Sequence, residues 1–111
     1  MAITNAAITS TATAVYTSNG DNAITTLIVC NKAEFIPATP TLGQTTLSLY
    51  AVTSGGSADD TLNLIANKLV IPAGETVTFD QEKLVLSNGQ KIMAKSASPE
   101  NLVITISTLP V

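Results

Sequence analysis

Apolar and polar residues alternate along much of the chain. In Thr11-Ala12-Thr13-Ala14-Val15-Tyr16-Thr17, Ala12, Ala14 and Tyr16 share one face, and Thr11, Thr13, Val15 and Thr17 the other. A period of two is what a strand imposes on its side chains. Leu47, Leu49 and Ala51 alternate with Ser48, Tyr50 and Val52; Val77 and Phe79 with Thr76, Thr78 and Asp80; Leu102, Ile104 and Ile106 with Val103, Thr105 and Ser107. Residues 23–31 are nearly all apolar or Thr, as in a strand buried on at least one face. Branched Thr, Val and Ile suit such a pleated, half-buried surface.

Turn signals separate these runs. Asn19-Gly20-Asp21-Asn22 reads as a hairpin-type turn, and Ser87-Asn88-Gly89-Gln90 repeats the Asn-Gly signal. Ser54-Gly55-Gly56-Ser57 reads as a loop or bulge. Pro72-Ala73-Gly74-Glu75 sets Pro at the first corner of a tight turn and Gly at the second next position. Ala97-Ser98-Pro99-Glu100-Asn101 is the last turn. Residues 32–43, with Pro37 and Pro40, form one long irregular stretch. Asp59 and Asp60 suit a helix start, but Leu62, Leu64 and Ile65 make no helical stripe, so a loop leading into a strand at 62–66 is expected. Turns at this spacing predict an all-β chain: a single antiparallel β-sandwich domain over residues 1–111, jelly-roll or Ig-like, with about seven to nine strands and little helix. Its core is expected from Ile28, Leu47, Leu49, Leu69, Ile71, Val77, Phe79, Leu84, Leu86, Ile92, Leu102, Ile104 and Ile106.

Composition narrows the function classes. Hydrophobic residues are 45% of the 111, aromatics 4% and charged residues 12%, with a net charge of −3. The charged share is about half the usual one, and Thr and Ser together make up roughly a quarter of the chain. Such a chain is too apolar for disorder and too poor in Glu, Lys and Arg for a coiled coil. One Cys excludes a disulfide framework, and the lack of His disfavours the usual zinc sites. An acidic balance without Arg disfavours nucleic acid. No secretory leader pattern is present, and the longest apolar run is far short of a membrane span.

Little catalytic chemistry is legible. There is no His to serve as a base, no Ser-x-x-Lys, and no Gly-rich phosphate loop. The acids are spread over turns rather than paired. Asp59, Asp60 and Asn63, or Asp21 with Asn19 and Asn22, offer oxygen ligands without the spacing of a calcium loop, so solvated turns are the plainer reading. Cys30 follows Ile28 and Val29 and reads as a small buried hydrophobe. Tyr16 and Tyr50 are too few for a sugar-binding platform. No enzyme activity, cofactor or metal site is expected.

The second half carries a resemblance. Ile65-Ala66-Asn67-Lys68-Leu69-Val70-Ile71-Pro72-Ala73-Gly74-Glu75-Thr76-Val77 leads through Phe79-Asp80 to Lys83-Leu84-Val85-Leu86-Ser87-Asn88-Gly89-Gln90-Lys91-Ile92, then Ala94-Lys95-Ser96-Ala97 and Val103-Ile104-Thr105-Ile106-Ser107. Tyr16-Thr17-Ser18, Ile28-Val29-Cys30-Asn31, Leu49-Tyr50-Ala51-Val52 and Ser54-Gly55-Gly56 match in the first half. This strand–turn rhythm resembles small virion structural proteins of tailed bacteriophages, especially of cyanobacterial hosts; residues 32–43 depart from it. The resemblance implies a β-sandwich repeated on a particle: a head decoration (cement) protein on the outer capsid, bridging major capsid subunits and forming a homotrimer. A neck, collar or tail component, or a host-surface carbohydrate-binding module on a tail appendage, are the alternatives.

Two segments are expected to make protein–protein contacts. Residues 1–10 hold no charge and read as an edge strand or arm, whose open backbone groups invite another chain; Ile3, Ala7 and Ile8 are its candidates. In 32–43 the candidates are Phe35, Ile36 and Pro37. Removing residues 1–10 is expected to leave the sandwich folded. With no His, particle binding is expected to be flat between about pH 6 and 8.

Overall fold

The computed structural model describes residues 2–79 and 84–111, and every regular element among them is a β-strand. In chain order these are β1 (Ala2–Ala7), β2 (Thr13–Thr17), β3 (Asn22–Asn31), β4 (Thr45–Val52), β5 (Leu64–Ile71), β6 (Thr76–Phe79), β7 (Leu84–Leu86), β8 (Lys91–Ser96) and β9 (Leu102–Pro110). Asp80, read from the sequence as part of an alternating strand, lies outside the described residues, as do Met1 and Lys83.

Two antiparallel sheets pack face to face. One has five strands in the order β1-β9-β3-β6, with β7 also on β3; the other has four, β2-β8-β4-β5. Taking β6 and β7 as two pieces of one strand, the pairs β1–β9, β2–β8, β3–β6/β7 and β4–β5 nest inside one another along the chain. That nesting is the jelly-roll order, and it decides between the two sandwich types the sequence left open.

The order also corrects the reading of the turns. The Asn19-Gly20 turn joins β2 to β3, and the Asn88-Gly89 turn joins β7 to β8, so both cross between sheets and neither closes a hairpin. Asn-Gly fixes a local reversal through a residue at positive φ, here Gly20 at 79° and Gly89 at 85°. It does not fix which strand the chain pairs with next. The two crossings are tied together: the Gly20 N–H donates to Asn88 Oδ1 at 2.8 Å, and the Gly89 N–H to the Ser18 carbonyl at 2.9 Å. Buried Ser18 sits beneath them, its hydroxyl accepting from Asn22 Nδ2 at 3.0 Å.

The core lies between the sheets and contains Ile8, Val15, Ile24, Leu27, Val29, Leu47, Leu49, Ile71, Leu86, Ile92, Ala94, Leu102, Ile104 and Ile106. Val77, Phe79 and Leu84 pack against it while partly buried. Ile28 faces outward, because the register of β3 slips between Ile24 and Thr26. The bulge turns Ile24, Leu27 and Val29 inward together. Cys30, in phase with Ile28, is half-buried on the outer face rather than in the core. Leu69 is exposed on edge strand β5, whose register is broken twice and whose Lys68 sits at φ 50°.

Candidate interaction surfaces

The acidic loop is a packing device. Residues 53–63 lead from β4 to β5. Tyr50, on β4, is 1% exposed, and its hydroxyl donates to Asp60 Oδ1 at 2.6 Å. Asp59 Oδ1 accepts from the Thr61 N–H at 2.8 Å and the Thr61 hydroxyl at 2.7 Å, while Asn63 Oδ1 accepts from the Asp59 N–H at 2.8 Å. These oxygens, offered above as cation ligands, are engaged in holding the loop. Burial and the Asp60 carboxylate push the Tyr50 phenol up to about 12. The Thr61 donors hold the Asp59 carboxyl below its ordinary range. Among the described residues no group of three or more His, Cys, Asp or Glu side chains is placed to hold a metal ion, and no helix is long and apolar enough to cross a membrane.

A cleft of about 430 Å³ opens between the sheets at the β5–β6 side, lined by Leu27, Leu49, Ile65, Phe79 and Leu84. Its described lining is apolar and offers apolar contact.

Residues 32–43 are pinned at the base and open at the tip. Asn31 is 1% exposed, donating through Nδ2 to the carbonyls of Gly43 at 2.9 Å and Ile71 at 3.0 Å and accepting from the Ala33 N–H at 3.0 Å. Asn101 Nδ2 donates to the same Gly43 carbonyl at 3.2 Å. Every polar group of the Asn31 amide is therefore used, as burial demands. Beyond this anchor Phe35, Ile36 and Pro37 are exposed, together with Leu42.

The other surface is the outer face of the five-stranded sheet. Register sets its rows: Leu109, Ala23 and Val85; Ile3, Ser107 and Thr26; Asn5, Thr105, Ile28 and Thr78; Ala7, Val103, Cys30 and Thr76. Among the described residues it carries no charged side chain. Indeed β1, β3, β6, β7 and β9 contain no Asp, Glu, Lys or Arg on either face. Lys68, Lys91 and Lys95 all lie on β5 and β8 of the four-stranded sheet. An antiparallel sheet facing water alternates apolar-in with polar-out, and long charged side chains are the usual means; here Thr, Ser, Ala and exposed Ile3, Val85 and Leu109 take their place.

Of the residues picked from the sequence as contacts, Ile3 and Ala7 lie on this face. Ile8 does not: it is 1% exposed, in the core, with its N–H donating to the Leu102 carbonyl at 3.0 Å. Removing residues 1–10 therefore strips a core side chain and an edge strand, which corrects the expectation of an intact sandwich. The face itself, centred on Ile28, Thr105 and Val103, escaped notice; its signal was the clustering of all charges outside five of the strand segments. No protein-family model matches the chain, and neither does any curated protein or solved structure.

Proposed function

We propose that this protein is a non-enzymatic structural subunit of a tailed-bacteriophage virion, a head decoration protein that docks on the major capsid protein and strengthens the shell. What carries the reading is the outer face of the five-stranded sheet, which is uncharged among the described residues. Such a face loses little hydration energy on docking, whereas a face of Lys and Glu must strip strongly hydrated charges. Strands of 6, 10, 9, 4 and 3 residues, at about 3.4 Å per residue and about 4.8 Å between strands, give a footprint of about 500 Å². The exposed tip of residues 32–43, with Phe35 and Ile36, supplies additional apolar contact. A partner that binds only the assembled shell adds its binding free energy to the shell's stability. Tyr50, one of two tyrosines, is buried beneath a loop and unavailable as a sugar platform.

Quantitative mass spectrometry of purified virions tests this. Decoration predicts on the order of hundreds of copies per particle, in fixed ratio to the major capsid protein, whereas about a dozen or fewer places the chain at the neck or tail. Absence from the particle ends the proposal.

A further inference from the structure

Among the described residues the two sheets present four open edges, and three carry features that discourage another strand. β2 is bulged between Ala14 and Tyr16. β5 is broken in register twice and carries Lys68 at positive φ. The edge beyond β3 changes register between β6 and β7, where Leu27 pairs with Phe79 but Ile24 with Leu84. Bulges, charges and short strands are the ordinary protections of a sheet edge. β1 has none of them: its 6 residues, Ala-Ile-Thr-Asn-Ala-Ala, pair with β9 without a register shift and include no charge and no Pro.

The direction of its free groups follows from one hydrogen bond. The Ile8 N–H donates to the Leu102 carbonyl. Backbone groups alternate sides along a strand, so those of Ala6, Thr4 and Ala2 face β9. Those of Ile3, Asn5 and Ala7 point off the open edge. The same three side chains are exposed on the uncharged outer face.

We propose that this edge takes a second copy of the chain, β1 against β1, antiparallel about a two-fold axis at Asn5. Ile3 of one copy then lies opposite Ala7 of the other, a large residue against a small one. Asn5 faces its own symmetry mate, and Thr4 lies opposite Ala6. Because β1 has no charged residue, the two-fold sets no like charges against each other, the usual penalty of self-pairing. The three outward residues of each copy form about six inter-chain backbone hydrogen bonds, two per hydrogen-bonded pair. The five-stranded sheets join into one, and their uncharged faces become continuous. A single face of about 500 Å² is below the roughly 800 Å² per partner of a standard interface, and the paired faces exceed it. This pairing does not depend on the virion reading, since it is tested without particles.

The test is solution mass of the full chain by sedimentation or light scattering between about 1 and 200 μM, with amide hydrogen exchange. Wild type is expected at twice the 11.4 kDa chain mass, with the amides of Ile3, Asn5 and Ala7 protected in proportion to dimer. Asn5→Pro removes an outward N–H, and Asn5→Lys sets two lysines against each other at the axis. Each is expected to weaken the dimer at least 100-fold while circular dichroism and the β9-facing amide of Ala6 remain as in wild type. A wild-type monomer throughout the range, a trimer, or a dimer that keeps its strength in Asn5→Lys or exchanges the Ile3, Asn5 and Ala7 amides freely would overturn the proposal.

Discussion

At the scale of single residues, the structure depends on a few buried polar groups that are fully bonded. Asn31 joins β3 to the Gly43 and Ile71 carbonyls and to the Ala33 N–H. Replacing it by Leu keeps the branched outline but leaves those groups without their partner in a buried place, at about 1–3 kcal/mol for each one that water does not reach. Asn31→Leu is expected to lower the unfolding free energy by about 2–4 kcal/mol, read from the urea midpoint, with Asn31→Asp at least as damaging because a carboxylate would face two carbonyls. Unchanged midpoints would show that the loop base is held otherwise. Tyr50 gives a pH test. Its phenol is pushed up to about 12 by burial and by Asp60, so folding favours the neutral form. The resulting stability is complete below the ordinary tyrosine pKa near 10. It is lost as pH rises from there through the folded value. Wild type should therefore lose more stability than Tyr50→Phe between pH 7 and 11, although Tyr50→Phe starts lower; parallel losses would remove the phenol from the account.

At the scale of elements, the turns separate local conformation from space. Gly20 and Gly43 both sit in the left-handed region, at φ 79° and 81°, yet a Cβ on Gly20 meets open space while one on Gly43 would lie 2.9 Å from Ala33 Cβ and 3.2 Å from Ala73 Cβ. Gly20→Ala should cost about 1 kcal/mol, the backbone term alone. Gly43→Ala should cost about 2–4 kcal/mol, because overpacking adds to it; equal melting shifts for the two would contradict this. The strands themselves were legible, since period-two alternation survives in β8 and β9 and Leu47 and Leu49 of β4 share the core face. Phase was not legible wherever a bulge intervened. Nothing in Ile24-Thr25-Thr26-Leu27 announces that the register slips, so Ile28 reads as core while Leu27 and Val29 occupy it. Lys68, a residue without glycine's freedom at φ 50°, likewise gives no warning of the break that leaves Leu69 exposed. Ile8, just beyond β1, reads as part of a loose arm because its partner, Leu102, is remote in sequence.

At the scale of the whole molecule, charge among the described strands is sorted by sheet. Sequence alternation locates strands but not their sheet, so the fact that β1, β3, β6, β7 and β9 are neighbours, and that their shared lack of charge makes one surface, emerges only from the pairing. The sorting leads to a prediction about docking that is separate from the β1 edge. Ile28 sits mid-strand on β3, between Thr105 of β9 and Thr78 of β6, and is half-buried on the outer face. A lysine there has a stem that lies along the sheet and a head that reaches water in the free protein. Folding should therefore tolerate Ile28→Lys, with a melting temperature close to wild type. In a docked state the same ammonium is trapped without a partner, and an unpaired buried charge is strongly destabilising, by about 3–5 kcal/mol. Such a loss lowers affinity by about two to three and a half orders of magnitude. Ile28→Lys is thus expected to leave the sandwich folded and to load onto empty heads at a small fraction of wild-type occupancy, measured by mass spectrometry of repurified particles. A lysine on the four-stranded sheet, as in Met93→Lys beside Lys91 and Lys95, should load normally, because that sheet already carries charge. If Ile28→Lys heads fill to wild-type occupancy, the five-stranded face is not where this protein meets the particle.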